Sequence, residues 1–188
     1  SLRSTYNIAA ANMSLGRGSY NDQAVCDAVN AGVKAAIDNL RAVGIATVIA
    51  SGNDGFWDGI SGPGCISTGV AVGATTDSDV EADFSNFHPT LLDIYAPGVN
   101  ILSSDGRSDL SYDGTRSGTS MATPHVTGAW AILKQADPGA TVGTILSALQ
   151  TTGDPVRGRY VALPRQRRIQ IDLAMPGACC YANGSCSL

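Results

Sequence analysis

The chain has 188 residues, 44% hydrophobic, 6% aromatic and 15% charged, with a formal net charge of −4 at pH 7. At roughly 150 residues per domain this is one domain and a remainder, long enough to bury a core without help from disulfides. No apolar run nears the ~18 residues of a membrane helix, and an acidic chain lacks the basic footprint of a nucleic-acid binder, so neither a membrane nor a nucleic acid is an expected partner. The 22 glycines and 8 prolines predict abundant loops.

No charged-then-apolar leader precedes the first apolar run, and Ser1 is read as the product of truncation or processing. Ile8 to Met13 predicts a strand buried on both faces, Asn12 included. Asn21-Asp22 then offers an N-cap, and Val25, Val29, Val33, Ile37 and Leu40 recur at helical spacing as far as Gly44. Ile45 to Ala50 is a second short apolar run. Strand, helix and strand in succession predict a parallel sheet. Gly69 to Ala74 and Leu91 to Tyr95 read as further strands, and Ala122 to Gln135 and Val142 to Gln150 as helices. The predicted class is α/β, with a mostly parallel sheet and helices on both faces.

Five cysteines are an odd number. Cys179, Cys180 and Cys186 cluster near the end without the second Cys or His pair that metal binding wants. They read as the start of a truncated disulfide module, which implies an oxidising, extracellular setting. That leaves Cys26 and Cys65 to bond to each other, from loops that begin near one edge of the sheet. The basic stretch Arg157 to Arg168 reads as a solvated surface segment, with a cleavage site or an anionic contact as alternatives.

Chemistry concentrates in Ser117-Gly-Thr-Ser-Met-Ala-Thr-Pro-His125. A turn of small residues leads into an apolar helix with Ser120 in its first turn, where N–H groups and the helix dipole favour developing negative charge. Taken alone, Gly-Thr-Ser is also an ordinary helix cap. An α/β-hydrolase elbow fails, because Ala122 stands where glycine is required and only His125 follows, on the same helix.

Ser117 to Val126 closely resembles the nucleophile segment of subtilisin-like serine peptidases, the subtilases. Asn12-Met-Ser-Leu-Gly16 is similar to their cleft-lining strand, and Ala50-Ser-Gly-Asn-Asp-Gly55 to the segment carrying their oxyanion asparagine. Val72-Gly-Ala74, Phe84-Ser-Asn86 and Asp93-Ile-Tyr-Ala-Pro-Gly98 resemble connecting motifs, closest to the proteinase K-like and bacterial branches. The resemblance implies that residues 1–155 are the C-terminal portion of a catalytic domain. Residues 156–176 would then be a basic loop and terminal strand or linker, and 177–188 the start of the Cys-rich module. It implies Ser120 as nucleophile and Asn53 as oxyanion donor.

Substrate is expected as an extended strand between Ser14-Leu15-Gly16 and Ala50-Ser51-Gly52. No acidic side chain lies in that strip, which predicts an apolar preference before the cut, and Arg17 would disfavour basic residues. No cofactor is needed for the chemistry. The proteinase K-like branch implies a structural Ca²⁺ between the Asp93 carboxylate and the carbonyls of Ser67 and Gly69, which is suitable hard-oxygen chemistry.

Subtilase chain order is Asp, His, Ser, and nothing upstream of Asn12 supplies the first two. His88 lies in a loop and reads as packing; His125 reads as structural. The general base is therefore expected from an N-terminal portion of the same protein, and the 188-residue chain alone is expected to be inactive. The alternatives are a subtilase fold kept for binding and, more remotely, a surface protein whose function lies in the Cys-rich module. Asp77, Asp79, Glu81 and Asp83 alternate like a calcium loop, but Ala82 and His88 occupy the places of the required Gly and Glu, which leaves an exposed acidic loop. Asn12 and Asn183 begin formal glycosylation sequons.

Overall fold

The structure is a computed structural model that describes residues 2, 5–104, 114–159 and 166–176, and the backbone of 179–180 and 186–187. In chain order the elements are β1 (Ala10–Met13), β2 (Arg17–Tyr20), α1 (Gln23–Val29), α2 (Ala31–Arg41), β3 (Ala46–Ala50), β4 (Ile60–Gly62), β5 (Val70–Thr75), β6 (Ile94–Pro97), β7 (Ile101–Ser103), β8 (Gly114–Arg116), α3 (Thr119–Ala136), α4 (Val142–Thr152), β9 (Asp154–Pro155), β10 (Arg167–Arg168), α5 (Ile171–Ala174), β11 (Cys179–Cys180) and β12 (Cys186–Ser187).

The main sheet has the order β1-β3-β5-β6-β10-β9, parallel from β1 to β10 and antiparallel only at β9. Period-two alternation divides its side chains between two cores. Val48, Val70, Val72, Ala74, Ile94 and Ala96 face α3 and α4, while Ile49, Ala71 and Tyr95 face α1, α2 and the loops around β4. Trp130 of α3 is fully buried in the first core and Phe87 in the second. This is the expected α/β class with helices on both faces.

Three local expectations give way. The helix predicted from Asn21 to Gly44 starts as expected, with Asp22 accepting from the Val25 N–H at 3.0 Å. It divides into two helices at Asn30, whose side chain donates to the Cys26 carbonyl at 2.9 Å beside its own N–H at 3.0 Å. Of its apolar stripe only Ile37 is buried; Val25, Val29 and Val33 are 52%, 65% and 39% exposed. Likewise β1 is the edge of the sheet and only partly buried, and Asn12 is exposed, because β1 has a neighbouring strand on one side alone.

The described residues of the 156–176 stretch pack into the two cores. Val156, Ile169 and Ala174 are buried, and β10 pairs with β6. Four arginines of the predicted surface stretch make specific bonds among the described residues, Arg167 donating to the Gly153 carbonyl at 2.7 Å. Arg157 donates to the Ser78 carbonyl at 2.9 Å, Arg159 pairs with the fully buried Glu81 at 2.9 Å, and Arg168 pairs with Asp79 and, at 2.6 Å, with Asp154. Glu81, expected in an exposed acidic loop, is inside, because Arg159 compensates its charge. Cys26 and Cys65 form the expected disulfide, with Cα atoms 6.0 Å apart. The pairing of Cys179, Cys180 and Cys186 and the Asn183 sequon lie outside the residues whose side chains are described.

Candidate active site

The parallel strands direct their C-terminal ends, and the loops that follow, to one edge of the sheet, where ligand sites of open α/β sheets lie. Three segments meet there: the turn after β1, the loop after β3 and the start of α3. Ser120 is in the first turn of α3, whose N-cap is Gly118 and carries no side-chain cap. Its Oγ donates to the Ser14 carbonyl at 3.2 Å, and the Ser14 hydroxyl donates back to the Ser120 carbonyl at 2.8 Å. That carbonyl is open to Ser14 because the residue one turn on is Pro124, which has no N–H to offer it. Asn12 completes the chain by donating to the Ser14 hydroxyl at 2.9 Å.

Asn53 is locked from the other side. Its Oδ1 accepts from the Thr119 N–H at 2.8 Å and from the Thr119 hydroxyl at 2.9 Å. The Thr119 hydroxyl in turn accepts from the Gly52 N–H at 3.2 Å. With Oδ1 occupied twice, Nδ2 is the amide's remaining polar end. Asn53, Gly118 and Ser120 line one cleft of about 450 Å³, together with Thr115, Arg116 and Met121. Thr119 and Asn86, which anchors the same loop, went unnoticed in the sequence as site residues. Their only signal was membership of the Gly-Thr-Ser and Phe-Ser-Asn motifs.

The two segments expected to hold substrate differ. Leu15 and Gly16 line an apolar groove of about 350 Å³ with Met13, Tyr20 and Val29, and Arg17 stands at its margin. Across from it, Ser51 and Gly52 have their main-chain groups committed. The Ser51 N–H donates to the Val72 carbonyl, its carbonyl accepts from the Ser61 N–H, and the Gly52 carbonyl accepts from the Asn86 N–H. Ala50 belongs to β3, between β1 and β5. The Ala50–Gly52 segment can therefore wall a substrate but has no spare Ser51 or Gly52 pairing for it.

Neither histidine bonds to Ser120. His125 Nδ1 lies 2.8 Å from the Met121 carbonyl on its own helix. His88 is 9% exposed; its Nδ1 accepts from the Leu91 N–H at 3.2 Å, and its Nε2 lies 3.6 Å from Asp58. Asp93 accepts from the Ala71 N–H at 2.7 Å, two residues from Gly69. Burial pushes its pKa up to about 6, against the lowering effects of that bond and of Arg41. Ser67 is turned towards Asp27, donating to it through its N–H at 3.0 Å and its hydroxyl at 2.6 Å.

The Subtilase family matches residues 5–163 of this sequence. The chain belongs to the subtilase family. It is 43% identical over 143 residues to an extracellular serine proteinase of Thermus sp. (strain Rt41A), covering 75% of this chain and 32% of that protein. It is 34% identical over 169 residues to a cuticle-degrading serine protease of Orbilia oligospora, covering 88% and 37%. Among solved structures, a protease of Pseudoalteromonas arctica superimposes with a TM-score of 0.70 at 29% identity, covering 88% of this chain and 50% of that one. A cold-adapted subtilisin-like serine proteinase gives 0.66 at 32% identity, covering 85% and 53%. The subtilase chain described here thus spans about a third of these curated relatives and half of the solved ones.

Proposed function

We propose that this subtilase chain is the C-terminal portion of a secreted serine endopeptidase that cleaves peptide bonds through an acyl-enzyme. Ser120 is its nucleophile and Asn53 its oxyanion donor. The observation that carries the reading is the bond pair from Thr119 to Asn53 Oδ1, which leaves Nδ2 available beside Ser120. Attack by Ser120 Oγ on a substrate carbonyl places the new oxyanion between Asn53 Nδ2 and the Ser120 N–H. Losing one such donor costs about 2.7–4 kcal/mol of barrier, a value measured in a subtilisin. Collapse of this adduct breaks the peptide C–N bond and releases the amine, which takes the proton removed from Ser120, and water then hydrolyses the ester left on Ser120.

The hydroxyl proton needs a base, and neither histidine of this chain is placed to take it. We assign the base and its orienting carboxylate to an N-terminal portion of the same protein, in the subtilase order Asp, His, Ser. The open edge of β1 and the exposed Val25, Val29 and Val33 support this, since both are surfaces that another part of a subtilase would cover. Secretion is supported by the disulfide and by the extracellular relative. Substrates are proteins or peptides, bound along Ser14–Gly16 with Ala50–Gly52 as the facing wall.

Asp93 and the carbonyls of Ser67 and Gly69 would hold a structural Ca²⁺. The donor set is hard oxygen, and a carboxylate raised to about 6 is one that a cation would favour in its ionised form. A fluorophosphonate tests the catalytic reading. It should label Ser120 in the full-length protein and leave the 188-residue chain unlabelled and inactive. Labelling at another residue, or turnover by the 188-residue chain, overturns it.

A further inference from the structure

Asn86 ends the Phe84-Ser-Asn86 motif and is fully buried, although its side chain is an amide. A buried amide must satisfy its donors and acceptor, and Asn86 spends nearly all of them on the loop that carries Asn53. Its Oδ1 accepts from the Asp54 N–H at 2.9 Å and from the Phe56 N–H at 3.1 Å. Its Nδ2 donates to the Ser51 carbonyl at 3.1 Å, the Asp54 carboxylate at 3.2 Å and the Ser61 hydroxyl at 3.2 Å. The backbone adds two more links: the Asn86 N–H donates to the Gly52 carbonyl at 3.0 Å, and the Asn86 carbonyl accepts from the Ser51 hydroxyl at 3.1 Å. The loop is moulded around the amide. Gly52 has a φ of +105°, and a Cβ there would stand 2.2 Å from Asn86 Nδ2.

We propose that Asn86 is a positioning residue of the oxyanion hole, acting through Asn53. Its amide replaces the sheet ladder for the turn that follows β3 and thereby fixes where that turn presents the Asn53 side chain. Asn86 touches no reacting atom. The contacts run from Asn86 to Ser51, Asp54 and Phe56 on either side of Asn53, and Thr119 then sets the rotation of the Asn53 amide. This inference rests on the reading of Asn53 as the oxyanion donor.

A double-mutant cycle in the full-length protein tests it, with turnover of a peptide substrate and inhibition by a peptide aldehyde as readouts. A misplacement of about 1 Å can cost on the order of 10²-fold. Asn86→Ala is therefore expected to lower kcat by about 10- to 100-fold, with KM changed less than about threefold. It should also weaken the aldehyde, whose adduct places an oxyanion in the same hole, by a similar factor. In an Asn53→Ala background the same change should lower kcat by less than about threefold, because the group it positions is gone. Fully additive losses, or a loss confined to KM, overturn the proposal.

If Asn86→Ala does not fold, amide hydrogen exchange on the unaltered full-length protein decides. The Asp54 and Phe56 amides should exchange slowly although both side chains are exposed, and open-loop rates there overturn the clamp. Wild-type protein that neither turns over nor labels at Ser120 removes the catalytic reading and this proposal with it. An active wild type with additive losses removes this proposal alone.

Discussion

On the side of the sheet covered by α3 and α4, Trp130, Val126, Leu133, Ile145 and Leu149 are all buried against β3, β5 and β6. On the side of α1 and α2, Cys26 and Ile37 are buried, but Val25, Val29 and Val33 project outward and β1 ends the sheet. Both helical layers carry apolar faces, but among the described residues α1 and α2 leave three large apolar side chains exposed and α3 and α4 only Ile132. Apolar residues at helical spacing mark a face that has to be covered; they do not say by what. Ser120, the proposed nucleophile, sits at the start of α3, and the exposed Val29 and Val33 border the apolar groove beside Leu15.

The largest test of this contrast is Trp130→Ala. Emptying a fully buried tryptophan site should cost about 3–5 kcal/mol in denaturant unfolding. A loss under about 1 kcal/mol would mean that the α3 side is no better packed than the other. Next comes the disulfide that ties α1 to the loop after β4. Replacing Cys26 and Cys65 together by Ser opens a loop with a sequence separation of 39, and should cost about 2–4 kcal/mol. An unchanged unfolding midpoint under non-reducing conditions would show the bond to be idle.

A smaller, pH-dependent effect belongs to Asp93. Its folded pKa of about 6 lies above the ordinary 3.8, so the folded state holds this proton more tightly than the unfolded chain. That stabilisation is full below about pH 4 and is lost as pH rises through about 6. In chelator, Asp93→Asn should therefore be more stable than wild type above pH 7, by about 1–3 kcal/mol, and equal to it near pH 3. Added Ca²⁺ should raise the wild-type Tm and leave that of Asp93→Asn unmoved. A variant less stable than wild type in chelator at pH 7 would refute the assignment.

The smallest effect is expected at Val29, 65% exposed. Val29→Ser should change the 188-residue chain by less than about 0.5 kcal/mol, and the full-length protein by about 1–2 kcal/mol if a further portion covers that face. Equal effects in the two proteins would break the proposed link between the exposed valines and a missing partner surface.

The local pattern specified a good deal. Apolar runs at β3 and β5 and the helical repeats at α3 and α4 were readable because burial imposes a period on each, whereas the strand expected at Leu91 to Tyr95 starts only at Ile94 and runs to Pro97. The motifs around Ser120 and Asn53 were readable because a site of this kind needs small residues, an amide and a helix start within a short stretch. The pairing of Cys26 with Cys65 followed from which cysteines were left over, and the folded chain forms that bond.

Long-range partners were beyond the sequence. Glu81 counted as one of four alternating acids until Arg159, 78 residues on, compensated it inside the core. Asn86 looked like part of a connecting motif, and its work is visible only where its amide meets Ser51, Asp54 and Phe56. The freedom of the Ser120 carbonyl to bind Ser14 was implicit in Pro124, but its acceptance of a hydroxyl 106 residues away was not. Secondary structure and the reactive motifs follow from interactions within a few residues, which a sequence displays directly. Satisfying a buried charge, amide or carbonyl depends on which distant segments the sheet order brings side by side, and only the tertiary structure decides that.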